Sequence, residues 1–234
     1  MLLGGQFNMK PLIVVITGSS QGIGFETAKY FLERGHVVHG IDIGSNKIEE
    51  LHPDLSKRYV HHVADVSNID QLPIIENIDI LVNNAGVQNT SRDIAVNLCG
   101  VINCTERYGL TSCIKSIVNL ASVSAHNGAE FPEYVASKGG VLAYTKWTAK
   151  EVAKYGATCN SLSFGGVLTE LNKPVTEDAA SWNTIMSMTP LKKWMTSYEC
   201  AEWIYFVSVV NKSMSGQDII IDNLETLNHQ FVWN

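Results

Sequence analysis

Short aliphatic runs alternate with helical patterns along this chain, and that alternation narrows its possible folds more than any other feature. Leu12–Thr17, Val37–Asp42, Tyr59–Ala64, Ile78–Asn83, Ser116–Leu120, Thr158–Ser163 and Asp218–Asp222 read as seven strands. Continuous apolar strands of this length are buried on both faces. Helical patterns at about 22–34, 67–76, 91–107, 132–155 and 197–210 lie between them. Strand and helix in alternation predict an α/β fold with a parallel sheet covered by helices on both faces. No internal repeat or Pro/Gly-rich linker interrupts the pattern, so a single domain is expected over residues 9–234.

Within the helix at 91–107, Ile94, Leu98, Val101, Ile102 and Thr105 are spaced to share one face. The long helical stretch begins at Pro132, a residue suited to a first turn, and stops at Gly156. Charged residues make up 17% of the 234, against a usual ~25%, which suggests that partner subunits cover some surface. The formal net charge of −6 argues against a nucleic-acid or anionic-membrane partner. The longest aliphatic run, Leu12 to Ile16, is too short to span a bilayer. Met1 to Asn8 carry no basic n-region or apolar h-region, and with Met9 directly before the first strand they read as a loose N-terminal extension or an upstream start on a cytoplasmic protein. Cys99, Cys104, Cys113, Cys159 and Cys200 form no metal-ligand spacing and read as reduced, mostly buried thiols. His61 and His62 would point to opposite faces of a strand, so no shared metal is expected there.

The first strand runs straight into Thr17-Gly18-Ser19-Ser20-Gln21-Gly22-Ile23-Gly24, and an amphipathic helix follows. Small residues let backbone approach a pyrophosphate, and the helix start offers free N–H groups and a positive dipole end. The next strand ends at Asp42, eighteen residues past Gly24. A carboxylate there accepts both hydroxyls of an adenosine ribose and repels a 2′-phosphate. No Arg follows Asp42 and the turn holds no Lys or Arg, which points to NAD rather than NADP, although Lys47 lies close downstream. Tyr134 and Lys138 stand about one helical turn apart, so phenol and ammonium share a face. A neighbouring cation is expected to lower the phenol pKa from its usual ~10, making Tyr134 a general acid/base candidate.

Together these motifs resemble the short-chain dehydrogenase/reductase family over about residues 9–222. The Thr-Gly-x-x-x-Gly-x-Gly turn, Asp65-Val66 after the third strand, Asn83-Asn84-Ala85-Gly86 closing the fourth, Ser122, and the Tyr134–Lys138 pair carry the resemblance. So do Asn97 in Ala95-Val96-Asn97-Leu98, and Gly165-Gly166-Val167-Leu168-Thr169. The resemblance implies a Rossmann-type, doubly wound, seven-stranded parallel sheet and a catalytic tetrad of Asn97, Ser122, Tyr134 and Lys138. It implies a cofactor site from Gly18, Ser20, Gln21, Gly22, Ile23, Gly24, Asp42, Ile43, Asp65, Val66, Asn84, Ala85, Gly86, Tyr134, Lys138, Val167 and Thr169. No metal is implied.

The implied activity is NAD-dependent hydride exchange between a secondary alcohol and a ketone or aldehyde. In this reading Tyr134 moves the proton, and Lys138 binds the nicotinamide ribose and lowers the Tyr134 pKa. Ser122 holds the substrate oxygen, and Asn97 supports a water relay. The alternatives are an NADP-dependent 3-oxoacyl-type reductase and a non-catalytic NAD-sensing protein. A sugar-nucleotide epimerase shares the Tyr-x-x-x-Lys pair, but usually with a longer chain and a different glycine spacing. Residues 169–190 resemble a substrate lid, with Leu171, Trp182, Ile185, Met186 and Met188 lining a pocket or anchoring the lid. His126, Asn127, Glu130 and Phe131 are expected to border the same cleft. Family members are commonly dimers or tetramers, and a homo-oligomer with a small-molecule substrate is expected. Phe164 replaces the family's usual Pro, Ser122 and Tyr134 are only twelve residues apart, and segments 67–77, 87–96 and 108–115 are short. Asn223-Leu224 stands where glycines are common.

Overall fold

Every residue of the first strand, apart from its two ends, is fully buried, and alternate side chains enter different cores. Val14 and Ile16 join one apolar cluster while Val15 joins another on the opposite face of the sheet. That is the packing expected of a sheet covered on both sides. The computed structural model describes residues 10–227, and the expected extension 1–8 lies outside the described residues. The strands are β1 (Ile13–Thr17), β2 (Val37–Asp42), β3 (Tyr59–Val63), β4 (Ile80–Asn83), β5 (Ser116–Leu120), β6 (Thr158–Phe164), β7 (Val167–Leu168), β8 (Met195–Thr196) and β9 (Asp218–Ile221).

Seven of these form one sheet in the order β3-β2-β1-β4-β5-β6-β9, with every pairing parallel. The order reverses between β1 and β4, and the crevice beyond the carboxyl ends of such neighbouring strands is where ligands sit in open α/β sheets. This is the doubly wound, Rossmann-type single domain that the strand–helix alternation predicts.

Three helical expectations need correction. Segment 67–76 forms only a single 3₁₀ turn, Ile69–Gln71, because Pro73 brings no N–H and its ring opposes a longer helix. The helix at 91–107 widens into π-type turns at Ala95–Cys99 and Thr105–Gly109 around an α-helical Gly100–Cys104. The i→i+5 turns rotate its register. The buried stripe is therefore Asn97, Gly100, Val101, Cys104, Thr105 and Tyr108, while Ile94 is 37% exposed. The stretch at 197–210 is an α-helix only over Ser197–Tyr205, opened by a Thr196–Glu199 capping box, before another π-type turn.

The helix Pro132–Val152 closes through a 3₁₀ turn into Gly156, whose φ is 72°. Short helices at Lys47–Leu51, Ser124–Asn127, Lys173–Thr176 and Ala179–Met188 were not foreseen. The last two sit in an excursion, 169–194, whose ends are joined by β7 pairing with β8. Among the described residues, no helix is long and apolar enough to cross a membrane. Cys104, Cys159 and Cys200 are buried and Cys99 and Cys113 exposed, all as free thiols. His62 stacks on His39, whereas His61 turns to the Gly44 carbonyl and Tyr59, as their opposed directions require.

Candidate active site

The carboxyl ends of β1, β2, β4, β5 and β6 open into one cavity of about 410 Å³. At one end is the glycine turn, which β4 stitches in place. Thr17 Oγ1 accepts the N–H groups of Asn84 and Ala85 at 3.0 and 2.9 Å. The Asn84 amide donates back to the carbonyls of Thr17 and Gly18 at 2.8 and 3.0 Å. Gly18 has φ 68°, a conformation that costs glycine little. A Cβ on Gly24 would stand 2.0 Å from the Gly18 carbonyl oxygen, so the helix start packs directly onto the turn.

Asp42 braces this end from β2. Its two carboxylate oxygens accept N–H groups from Ser20 at 2.9 Å and Gly44 at 2.8 Å. Each oxygen keeps lone-pair capacity for a ribose hydroxyl. Gly18, Gln21, Gly22, Ile23, Asp42, Ile43, Asp65, Val66, Asn84, Ala85 and Gly86 all line the cavity, as do Val167 and Thr169. Ser20 does not line it and contributes through Asp42 and a bond to the Ser45 carbonyl. These residues fit an extended dinucleotide: small residues at the turn, a carboxylate at the ribose position and apolar side chains flanking both. Lys47, close in sequence, pairs with Glu50 at 2.6 Å and does not line the cavity. Arg92 does line it, but is held by Asp65 at 2.5 Å and Ser67 at 2.8 Å. The Asp65 carboxylate is thereby kept below its ordinary range despite partial burial.

In the middle of the cavity stand three of the four expected catalytic side chains. The Ser122 hydroxyl acts on the neighbouring Tyr134 phenol and accepts from Ser124 Oγ at 2.8 Å. Lys138 is buried, with Nζ donating to the Leu120 carbonyl at 2.8 Å and 5.6 Å from the Tyr134 ring centroid. Asn97 is fully buried behind them. Its Oδ1 accepts from Val87 N–H at 2.8 Å, and its Nδ2 donates to the Val87 carbonyl at 2.9 Å and Ser137 Oγ at 3.2 Å. Asn97 and Lys138 both border Gly86, where an added Cβ would meet Asn97 Oδ1 at 3.3 Å and Lys138 Nζ at 3.7 Å. Asn97 lies outside the cavity lining.

The expected lowering of the Tyr134 pKa is not the net result. Burial pushes the phenol up to about 12, the Glu130 charge adds to that, and the nearby Ser122 hydroxyl opposes it. Burial also lowers Lys138 to about 8, against the charges of Glu130 and Asp93. Desolvation outweighs the pairing for both groups.

The far end contains residues that motif reading missed. Trp194, Glu225, Glu170 and Asn172 line it unforeseen, beside Gly165 and Gly166 of the expected glycine segment and Glu130, Phe164 and Leu171. Glu225 Oε1 accepts from Trp194 Nε1 at 2.9 Å and Thr189 Oγ1 at 3.0 Å. Phe164 lengthens β6 by one residue beyond the expected Ser163, pairing with Ile221 where a Pro would lose its N–H. Of His126, Asn127, Glu130 and Phe131, only Glu130 lines the cavity. His126 turns away to Asp218 at 2.8 Å and Ser163 at 3.2 Å. Of the five apolar residues singled out between 169 and 190, only Leu171 lines it. Trp182 packs edge-on against Trp194 with ring centroids 5.3 Å apart. Among the described residues, no group of three or more His, Cys, Asp or Glu could hold a metal.

The fold and this arrangement recur in known proteins. A family model described as short chain dehydrogenase matches residues 12–180. The 3-oxoacyl-acyl-carrier-protein reductase FabG of Thermotoga maritima is 31% identical, covering 90% of this chain and 96% of the relative. The glucose 1-dehydrogenase of Gluconobacter oxydans is 32% identical, covering 93% of each. Among solved structures, a 4-hydroxyisoleucine dehydrogenase mutant complexed with NADH and succinate superposes with a TM-score of 0.84 at 28% identity, over 93% of this chain and 100% of that one. The protein ElxO with NADP bound gives a TM-score of 0.83 at 28% identity over the same shares. The chain belongs to the short-chain dehydrogenase family and is an oxidoreductase with a nicotinamide-cofactor fold.

Proposed function

We propose that this protein interconverts a secondary alcohol and a ketone or aldehyde with NAD as hydride carrier. The observation that carries the reading is one cavity shared by the glycine turn, Asp42, Ser122, Tyr134 and Lys138. When bound, the nicotinamide supplies the hydride chemistry at its C4. The turn residues 18–24 with Asn84, Ala85 and Gly86 would hold the pyrophosphate and neighbouring groups. Asp42 would hold the adenosine ribose, and Ile43, Asp65 and Val66 would flank the adenine. Val167 and Thr169 would meet the carboxamide, and Lys138 the second ribose.

Ser122 would donate to the substrate oxygen and stabilise the charge that develops there. Tyr134 would exchange the proton with the same oxygen. A phenol held near 12 is protonated at neutral pH, the form that carbonyl reduction requires. Asn97 fixes the Val87 backbone and the helix carrying Tyr134 and Lys138 through Ser137, and would align the proton route behind Lys138. Residues 169–190 would cover the substrate. A homo-oligomer fits the half-exposed apolar stripe of Ile94, Leu98 and Ile102 together with Trp147, 45% exposed.

NAD is preferred because Asp42 would oppose a 2′-phosphate and both nearby cations are paired with carboxylates. A second reading, an NADP-dependent 3-oxoacyl-type reductase, is favoured by the names of several curated relatives. A spectrophotometric panel separates the two, with alcohols against NAD and NADP and carbonyls, including 3-oxoacyl thioesters, against the reduced forms. Tyr134→Phe should fold, bind NAD and lose on the order of 10²-fold or more in turnover. Wild-type turnover in that variant would remove the catalytic assignment. Activity chiefly with NADP would overturn the reading of Asp42, and firm NAD binding with no turnover would favour a sensor.

A further inference from the structure

Besides Tyr134, four ionisable side chains line the reacting and far ends of the cavity, and three of them are already committed. Lys138 Nζ donates to the Leu120 carbonyl. Glu225 accepts from Trp194, Thr189 and, at 3.4 Å, Gly166 N–H. Glu170 pairs with Lys173 at 2.6 Å. Glu130 differs. The residue is exposed, and the surrounding cleft, Lys138 and Glu225 act on its carboxyl with no hydrogen bond among those influences. It projects from the connection between Ser122 and Tyr134 on a backbone with φ 76°, and it lines the cavity with both of them. Its charge is felt by the Tyr134 phenol and by Lys138. Arg92, the other cation of the lining, is paired with Asp65.

We propose, resting on the alcohol–carbonyl reading above, that Glu130 is the residue that selects the substrate. Its carboxylate receives a hydrogen-bond donor next to the carbinol carbon, best an ammonium group and next a hydroxyl. It turns away substrates with a carboxylate or phosphate there. The physical basis is simple. A solvent-exposed carboxylate that lines the cleft gains most from a cation, gains less from a neutral donor, and repels an anion. The adjacent Glu225, ionised or not, supplies no compensating positive charge, and Lys138 is too deeply placed to neutralise an incoming anion fully.

Three compounds that share a three-carbon skeleton and a secondary alcohol at C2 test this: 1-amino-2-propanol, propane-1,2-diol and lactate. Their turnover with NAD, and their effect on the melting temperature of the NAD-loaded protein, are measured for wild type and Glu130→Gln. The expected order is amine, diol, lactate, with amine ahead of lactate by about tenfold or more in KM and the preference largely erased in Glu130→Gln. NAD affinity should stay the same in that variant, because Glu130 lies outside the cofactor residues. Equal response to all three, preference for lactate, or an unchanged order in Glu130→Gln would overturn the proposal. The melting readout needs no turnover. A charge-ranked response without NAD reduction by any alcohol would therefore sink the catalytic reading while leaving the selection by Glu130 standing.

Discussion

The two ends of the cavity keep their shape by different means. At the glycine turn the contacts end on main chain: Asn84 on the carbonyls of Thr17 and Gly18, and Asp42 on the N–H groups of Ser20 and Gly44. At the far end the contacts run between side chains from segments distant in sequence, with Trp194 on Glu225 and Trp182 on Trp194. Main-chain contacts leave few ways to change a side chain without moving the sheet. Side-chain contacts can be exchanged one at a time. One end therefore suits a ligand that stays constant, and the other suits a substrate that differs between relatives.

The sharpest way to break this comparison is to crowd each end with one methyl group. In Gly24→Ala the new Cβ meets backbone, the Gly18 carbonyl oxygen at 2.0 Å, so the turn itself must move. The expected loss is about 3 kcal/mol of stability, near the upper range for overpacking, with NAD binding weakened on the order of 10²-fold. Melting curves and cofactor titration check it, and an unperturbed Kd would mean that the turn is softer than its packing implies.

Lys138 lies between the ends, and its effect is one of pH. Burial lowers it from an ordinary 10.5 to about 8. Between these values the unfolded chain still holds a proton that the fold has released, so stability rises with pH across that window. The rise should reach about 3 kcal/mol and vanish in Lys138→Met, read by denaturant melts from pH 7 upward. Above pH 10 the raised Tyr134 works in the opposite sense, because the fold keeps a proton that the unfolded chain loses. A flat wild-type profile would show that solvent reaches Lys138.

Asp42→Ala should cost about tenfold in NAD affinity relative to NADP, roughly 1.4 kcal/mol. A parallel loss for both cofactors would assign Asp42 only to bracing Ser20 and Gly44. Gly166→Ala is expected to do least. Its Cβ would come within 1.9 Å of atoms in the Trp194 ring, but a side chain can rotate away for about 1 kcal/mol. If this variant proves as damaging as Gly24→Ala, the contrast between the ends fails.

The strands and the glycine-turn end were legible because local patterns encode them. A strand such as Ser116–Leu120, buried on both faces of a parallel sheet, is a short, chiefly apolar run, and it starts and stops where it was read. Gly18 and Gly24 mark close backbone approach in the sequence itself. Tyr134 and Lys138 needed only helical periodicity to be brought together. The far end was not legible, because Trp194 and Glu225 reach it through the long excursion from β7 to β8 and the turn after β9. No spacing in the sequence announces that meeting. Arg92 was missed for the same reason, since its partner Asp65 lies in another loop. The face of the helix at 91–107 was misread because its buried stripe is part polar. Asn97 and Thr105 are satisfied inside, with Asn83 donating to Thr105 Oγ1 at 3.3 Å, while Ile94 faces outward.

The strand order also sets a timetable for synthesis. β1 can pair with β2 once about forty residues have emerged, but its other neighbour, β4, begins at Ile80. At roughly 5–20 residues per second, the nascent chain carries that apolar edge unpaired for several seconds. Parallel pairing across such separations is slow, and exposed edges invite association with other chains. The strand that anchors the glycine turn is thus the first to be made, yet β2 gains both of its neighbours before it does. A ribosome-bound fragment ending before β4 should still present this edge to a chaperone.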